Sequence, residues 1–203
     1  RLYQVAEALI PEKYKDKEYA GIAGLPEFTK VSQALAYGSN SEAVASGRVF
    51  YPKWEILGLK IYLDRQAQSI SGTGALRIGT EFLSRWLPSQ EPKSIYVPTP
   101  TWGNHVPIAQ DCGFQVAQYR YYDPKTNGLD FSGMSEDIKV LISYILNFIE
   151  PLGAPNGSIF LLHACAHNPT GVDPTQEQWR ELSQLMLSKG HFAFFDMAYQ
   201  GFA

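Results

Sequence analysis

The sequence contains little cysteine, and its positive and negative charges nearly balance. Only two cysteines, Cys112 and Cys165, occur among 203 residues. This is too few for a disulfide framework and favours a reducing compartment. The net charge of −3 and the lack of a Lys/Arg-rich block argue against nucleic-acid binding. The apolar run Val140–Gly153 is shorter than the about 20 residues needed to cross a bilayer. We therefore expect no nucleic-acid partner and no membrane partner.

The beginning of the chain carries little information. It starts at Arg1 rather than Met, and no signal peptide opens it. The start is expected to be truncated, so the lack of a targeting segment indicates nothing about the mature protein. With 45% hydrophobic and 13% aromatic residues, the chain is long enough for one substantial core.

Two apolar runs end in polar chemistry. Ser158–Ala166 reads as a buried strand of a parallel sheet and leads into a turn that contains Asn168. Phe192–Phe195 reads as a second buried strand and is followed by Asp196 and Tyr199. Open α/β sheets bind ligands at the carboxyl ends of their strands. Asn168, Asp196 and Tyr199 are therefore expected to converge on one small molecule, although Asp196 alone could also cap the next helix.

A predicted helix joins these two strands as a crossover. Thr175 and Gln178 have the spacing of a capping box, and the helix is expected to run to Lys189 and stop at Gly190. Further upstream, we expect a helix over Pro26–Tyr37. Further predicted elements are strands over Ser94–Pro98 and Phe114–Tyr122 and a helix over Met134–Lys139.

A glycine-rich turn opens another predicted helix, which runs to about Trp86. The turn contains Ser71, Gly72 and Thr73, and a helix start with small residues lets backbone N–H groups approach a phosphate. It is not a Walker loop, because no Gly-Lys-Ser/Thr follows, and it does not fit GxGxxG. Taken alone, it could equally be an ordinary helix start.

Two further patterns suggest ligand contacts. Trp102 follows two prolines at the end of a strand, where an indole can stack on a flat heteroaromatic ring or simply lie buried under its loop. His163, Cys165 and His167 form an H-x-C-x-H array, which would share one face of a strand. Because their neighbours are apolar and no carboxylate accompanies them, we expect no metal.

Several of these motifs resemble one family. HACAHNPTG followed by FFDMAYQGFA, together with SGTGALRIG and PTWGNH, resembles the aspartate aminotransferases, which are enzymes of fold type I that use pyridoxal 5′-phosphate (PLP). The resemblance covers most of the chain. It implies a three-layer αβα large PLP-binding domain with a mostly parallel sheet, incomplete here, with residues 1–203 as part of that domain, residues 1–49 as its N-terminal part and the small C-terminal domain absent.

The resemblance also implies roles for individual residues. Asp196 would hold the protonated pyridine nitrogen, Tyr199 and Asn168 would bind the phenolic oxygen, and Trp102 would cover the ring; Asp196 and Tyr199 are the catalytic candidates. Trp102 and Asn168 would also border the substrate. The remaining implied contacts are the phosphate contacts Ser71, Gly72 and Thr73, Tyr19 reaching the partner subunit's cofactor, and His105 and His163 as supporting residues.

The implied reaction is reversible amino transfer between L-aspartate and 2-oxoglutarate, giving oxaloacetate and L-glutamate, in a homodimer. The segment from PTWGNH to SEDI is most similar to the mitochondrial branch, which implies the mitochondrial matrix, with the cytoplasm as the alternative. A sister transaminase that prefers aromatic substrates stays open, because the arginines that bind the substrate carboxylates do not match positions here.

The chain departs from the family in three places. Residues 50–64 and 140–153 are extra and are interpreted as insertions, with unspliced intron sequence as the preferred hypothesis. The lysine that binds PLP covalently is expected downstream of Ala203 and is not present in this chain. An alternative hypothesis is therefore a catalytically inactive, truncated fragment that is at best a weak PLP binder. A surface location of Tyr19 is a further alternative to its role at the cofactor.

Overall fold

The computed structural model describes residues 4–5, 8, 18–42, 66–87, 93–139 and 154–202. The chain divides into two compact units, Arg1–Gln68 and Ser69–Ala203. The suspected insertions at residues 50–64 and 140–153 lie outside the described residues, so they remain hypotheses.

The first unit contains helix α1, Pro26–Tyr37, with the bounds that the sequence predicts. Proline occupies the first turn, where its missing N–H costs nothing, and Gly38 ends the helix at φ +82°. The backbone N–H of Gln68 donates to the carbonyl oxygen of Ala23 (2.9 Å). The Gln68 side-chain oxygen accepts from the N–H of Leu25 (3.0 Å), so Gln68 fixes the turn that leads into α1.

The second unit is built on a parallel sheet of four strands in the order β2-β1-β5-β6. These strands are β1 (Ser94–Thr99), β2 (Gln115–Arg120), β5 (Ile159–His163) and β6 (Phe192–Asp196). A separate short antiparallel pair consists of β3 (Tyr122–Asp123) and β4 (Gly128–Leu129). The register between β5 and β6 pairs Ile159 with Phe192 and His163 with Asp196.

Helices cover both faces of this sheet. They are α2 (Ser71–Trp86), α3 (His105–Asp111), α4 (Phe131–Ile138) and α5 (Gln176–Lys189). The capping box predicted for Thr175 and Gln178 is present at the start of α5, and Gly190 ends the helix in the left-handed conformation. These local signals are strong because each satisfies backbone groups that a helix end leaves unpaired.

Strand β5 is buried along its whole length and separates two apolar cores. Ile159 and Leu161 belong to the core shared with α2 and α3, whereas Phe160 and Leu162 belong to the core shared with α4 and α5. This alternation follows from the period of two in a strand. The predicted α/β fold with a mostly parallel sheet and helical layers on both faces is therefore confirmed for this unit.

Some predicted details are wrong, and each has a structural reason. Phe192–Phe195 is not fully buried, because β6 is an edge strand of the described sheet; Phe195 is 46% exposed. The apolar face that the sequence predicts for α2 includes Trp86, but this residue lies at the last turn of the helix and is 71% exposed. The strand that begins near Ser158 ends at His163 rather than Ala166, because the chain bends over residues 164–166, where Ala166 adopts a left-handed φ of +46°.

The residues on either side of the second suspected insertion are hydrogen bonded to each other. The backbone N–H of Ala154 donates to the carbonyl oxygen of Asp137 at 3.1 Å, and Ala154 is fully buried. In a chain that passed directly from Lys139 to Ala154, this contact would be an ordinary i+3 to i turn hydrogen bond. The hydrogen bond between Ala154 and Asp137 is thus compatible with a chain in which Lys139 is joined directly to Ala154.

Candidate active site

A cavity of about 220 Å³ opens at the carboxyl ends of β5 and β6. It lies entirely within the second unit. Its lining residues are Ser71, Gly72, Thr73, Trp102, His163, Cys165, Asn168, Asp196, Ala198 and Tyr199. The structure therefore brings together the residues that the sequence suggested separately on the phosphate loop, the Trp102 loop and the two strand ends.

The start of α2 forms one wall of the cavity. Ser71, Gly72 and Thr73 are its first three residues, and the first N–H groups of a helix have no partner within the helix. The helix dipole adds partial positive charge at this end, which favours an anion. A Cβ atom at Gly72 would meet no protein atom within 4 Å. Because Gly72 lines the cavity, a side chain there would occupy room that is otherwise open to a ligand.

Asp196 supplies a carboxylate to the cavity from the end of β6. Its Oδ2 atom lies 2.9 Å from Nε2 of His105, and Nδ1 of His105 lies 2.6 Å from Oγ1 of Thr101. A carboxylate only accepts, so we assign the proton to Nε2 of His105, and the Thr101 hydroxyl then donates to Nδ1. The hydrogen bond from His105 lowers the pKa of Asp196 against the opposing effect of burial. Asp196 is thus held as an anion.

The Trp102 ring is fixed by the same histidine. It packs edge-on against His105, with ring centroids 5.4 Å apart, and the N–H of His105 donates to the carbonyl oxygen of Trp102. Trp102 is half-buried and lines the cavity, so it is more than a residue buried under its loop. One buried side chain, His105, therefore orients both the carboxylate and the indole.

His163 lies beside this group, opposite Asp196 in the strand register. The N–H of Asn168 donates to Nδ1 of His163 at 3.3 Å, so the proton of the neutral ring is assigned to Nε2. Burial, reinforced by His105, lowers the pKa of His163 to about 4. The ring is therefore neutral at pH 7. Its Nε2 is buried and has no hydrogen-bond partner in the described part of the chain.

The H-x-C-x-H array does not stay on one strand face. Because β5 ends at His163, His167 folds back and its ring lies 4.3 Å from that of His163, while the Cys165 thiol lies 3.8 Å from Oε1 of Gln200. Within the ranges that the structure describes, no group of three or more His, Cys, Asp or Glu residues is placed to hold a metal ion. No helix in those ranges is long and apolar enough to span a membrane.

The structure adds contacts that the sequence reasoning missed. Thr101 and Ala198 were not candidate site residues, and Cys165 was considered only as part of a possible metal array. Thr101 is bonded to His105, and the other two line the cavity. The H-x-C-x-H spacing marked Cys165 as part of a motif, whereas no sequence signal marks Ala198. Tyr19 is fully exposed in the first unit, and its role at a partner's cofactor stays a prediction.

Comparison with known proteins identifies the family. The sequence profile described as aminotransferase class I and II matches residues 3–203. The chain belongs to this aminotransferase family. It is 50% identical over 98% of its length to mitochondrial aspartate aminotransferase of Gallus gallus, and 45% identical over 97% to the cytoplasmic enzyme of Oryza sativa subsp. japonica. The predicted resemblance to aspartate aminotransferases is thereby confirmed.

Solved structures of aminotransferases share the fold. The cytoplasmic aspartate aminotransferase of Saccharomyces cerevisiae matches 98% of this chain at 40% identity, with a TM-score of 0.77. An aromatic-amino-acid aminotransferase of Burkholderia pseudomallei, solved covalently bound to pyridoxal phosphate, matches 98% at 34% identity, with a TM-score of 0.73. The chain spans about 40% of the length of these curated relatives and solved structures.

Proposed function

We propose that this chain forms the PLP cavity of an aspartate aminotransferase, whose reaction is reversible amino transfer between L-aspartate and 2-oxoglutarate to give oxaloacetate and L-glutamate. The observation that carries the proposal is the placement of an ionised, histidine-bonded carboxylate in the same cavity as a helix N-terminus. A ligand with a phosphate at one end and a protonated ring nitrogen at the other suits both groups.

The lining residues fit PLP in kind. The open space at Gly72 and the N–H groups at the start of α2 suit the phosphate, and the hydroxyls of Ser71 and Thr73 add donors. Trp102 would stack on the pyridine ring. Asn168 and Tyr199 would bind the phenolic oxygen with their amide and hydroxyl groups.

Bound PLP withdraws electrons from the substrate carbon that carries the amino group. Asp196 would hold the proton on the pyridine nitrogen, because an anionic carboxylate stabilises a neighbouring positive charge. His105 keeps Asp196 ionised and oriented through its Nε2–H. Trp102 would exclude water from one face of the ring and, with Asn168, would border the substrate.

Covalent binding of PLP and recognition of the substrate carboxylates are assigned to residues that do not occur in the matching motifs of this chain. As the resemblance implies, we place the lysine that binds PLP beyond Ala203, together with the arginines that grip the substrate carboxylates by paired hydrogen bonds. Amino transfer is therefore proposed for the complete protein, in which Tyr19 reaches the cofactor of the partner subunit in a homodimer. Sedimentation of the complete protein tests the dimer, and a Tyr19→Phe variant with weaker PLP binding would support the Tyr19 contact.

Aspartate is favoured over aromatic substrates by the degree of similarity. Among enzymes of known structure, identity is 37–40% with aspartate aminotransferases and 32–34% with aromatic-amino-acid aminotransferases. We propose the mitochondrial matrix as the compartment, with the cytoplasm as the alternative, since relatives of both kinds match. Imaging a fluorescent fusion of the complete protein decides between them.

The proposal is tested first by equilibrium dialysis of PLP against this chain. We expect saturable binding, and Asp196→Ala should weaken it at least about tenfold, as loss of a charged hydrogen-bond partner does. The matched control is Asp123→Ala. It also removes a carboxylate with two local hydrogen bonds, to the Lys125 N–H and the Thr126 hydroxyl, but in the short β3–β4 hairpin. It should bind PLP like the wild type.

A second assay separates an active enzyme from a chain that only binds PLP. The complete product of the source transcript is incubated with L-aspartate and 2-oxoglutarate, and oxaloacetate formation is followed. Amino transfer by the complete protein supports the enzyme, whereas PLP binding without amino transfer supports the alternative of an inactive binder. Absence of PLP binding in both the chain and the complete protein would overturn the proposal.

A further inference from the structure

His167 has no role in the proposed function, yet it is among the most enclosed side chains of the molecule. It is 1% exposed. Its ring lies between two others: Tyr121 stacks on it with centroids 3.9 Å apart at 19°, and His163 lies 4.3 Å away at 44°. Tyr121 is itself anchored, because its hydroxyl donates to the carbonyl oxygen of Val172 at 2.7 Å. The stack therefore joins β5 to the loop after it.

The backbone N–H, carbonyl oxygen and ring Nδ1 of His167 have hydrogen-bond partners, whereas its buried Nε2 has none in the part of the chain that the structure describes. Its N–H donates to Oδ1 of Asp173 (2.9 Å), and its carbonyl oxygen accepts from the N–H of Gly171 (2.6 Å). Its Nδ1 lies 2.8 Å from Oγ1 of Thr170. That hydroxyl already accepts from the N–H of Val172, so its hydrogen is available for Nδ1. His167 is fixed at both its backbone and its ring.

The next residue along the chain is Asn168, which lines the cavity. The N–H of Asn168 donates to Nδ1 of His163 at 3.3 Å. The backbone of Asn168 is thus fixed by this hydrogen bond to His163 and by its peptide bond to the buried His167. We propose that His167 is a positioning residue, which through its stack with Tyr121 places the Asn168 side chain at the cavity. The effect on cofactor binding rests on the proposed function, whereas the effect on the Asn168 backbone does not.

The test compares variants that remove or keep the stacked ring. His167→Ala and Tyr121→Leu each remove one ring of the stack, whereas His167→Phe keeps a ring between Tyr121 and His163. His191→Ala is the matched control. His191 is another partly buried histidine, whose Nδ1 accepts from the Ser158 N–H and whose Nε2 lies 3.0 Å from the Ile138 carbonyl oxygen. It directly precedes β6, whereas the cavity lies at the other end of that strand.

The first readout is hydrogen exchange of the Asn168 amide without any ligand. We expect exchange to be faster by about tenfold in His167→Ala and in Tyr121→Leu, since the N–H loses its fixed acceptor. His167→Phe and His191→Ala should exchange at this amide as the wild type does. Unchanged exchange at Asn168 in both ring-removing variants would overturn the proposal, whether or not the chain binds PLP.

The second readout is PLP affinity by equilibrium dialysis, corrected for the folded fraction. We expect His167→Ala to weaken binding about tenfold and His167→Phe to restore it. The double variant with Asn168→Ala should bind no more weakly than Asn168→Ala alone, because His167 acts through Asn168. Additive losses would instead assign His167 a general structural role and overturn the proposal. Absence of PLP binding in both the wild-type chain and the complete protein would refute the proposed function, and the exchange rates would still decide the role of His167.

Discussion

Nε2 of His105 lies 2.9 Å from Oδ2 of Asp196, although 91 residues separate the two in sequence. His105 begins α3, and Asp196 ends β6. Their contact links the Trp102 loop to the edge strand of the described sheet. This hydrogen bond is the main influence that lowers the pKa of Asp196, which supplies a carboxylate to the cavity.

Replacing His105 should raise the pKa of Asp196. In His105→Phe the hydrogen bond is lost, while burial, which raises the pKa, remains. An Asp whose pKa is lower in the folded chain stabilises the fold at pH values above its ordinary pKa of about 3.8. This contribution is lost as the pH falls through the pKa of the folded state. The variant should therefore begin acid unfolding at higher pH. Carboxyl ¹³C NMR titration of Asp196 measures the shift.

His191→Phe is the control for that experiment. It also removes a partly buried imidazole, but His191 bonds to Ser158 and Ile138 rather than to Asp196. The pKa of Asp196 should stay as in the wild type. An unaltered pKa in His105→Phe would mean that the hydrogen bond does not govern the charge of Asp196.

The stability of the fold should fall as pH drops from about 6.5 to about 4. Burial lowers the pKa values of His163 and His167 from 6.5 to about 4. In this window the unfolded chain binds protons that the folded chain does not, so acid favours unfolding. The charge of His105 also lowers the pKa of His163, and that of His163 lowers the pKa of His167. Asp173 acts in the opposite direction on both rings, and Asp196 does so on His163. The free energy of unfolding is measured by urea titration at a series of pH values. Between pH 6.5 and 4 it should change less steeply with pH in His167→Phe than in the wild type, and an equal pH dependence would contradict the expectation.

Gly79 should be intolerant of a side chain. It lies in α2, and a Cβ there would come within 2.8 Å of Cζ of Phe194 in β6. Overlap of this kind costs about 1–3 kcal/mol, while the better helix propensity of alanine returns about 1 kcal/mol. Gly79→Ala should therefore lower the free energy of unfolding by about 1 kcal/mol in urea titrations. Gly103→Ala, whose Cβ would meet nothing within 4 Å, should have little effect, and a stabilised Gly79→Ala protein would contradict the expectation.

Deleting residues 140–153 should leave the second unit intact. The Ala154 N–H already bonds to the Asp137 carbonyl oxygen, so joining Lys139 to Ala154 preserves a contact that a turn would make anyway. We expect the deletion variant to unfold in a cooperative transition at a temperature no lower than that of the full chain. Circular dichroism melting measures this, and a variant that fails to fold would contradict the insertion hypothesis. Sequencing the source transcript across this segment gives an independent answer.

Local signals in the sequence were enough to predict α1 and α5. Proline at the start of α1, the capping box of α5 and the glycines that end both helices act within one or two turns of backbone. The meeting of Asn168 and Asp196 was also predictable, because parallel strands deliver their ends to one edge. Helix α3 was not predicted: its seven residues include Pro107 and are too few to show a helical period.

Burial and long-range contacts could not be read from spacing. Phe195 is apolar like its neighbours but is exposed, because β6 is an edge strand in the described sheet. The hydrogen bond between His105 and Asp196 depends on how α3 packs, and only the resemblance to a family suggested that His105 supports this residue. The fold of His167 back onto His163 follows from the left-handed backbone at Ala166, which no residue type in that position announces.

The pairing of His163 with Asp196 across β5 and β6 has a consequence for studies of folding. Side chains alternate between the two faces of a sheet, so a slip of β6 by one residue would turn Asp196 away from His105 and bring a neighbour into its place. The cavity can then form only in molecules whose edge strand has docked in the native alignment. Under the proposed function, PLP binding would report the correct alignment of β6 during refolding. It would distinguish native molecules from compact molecules in which β6 is paired out of register.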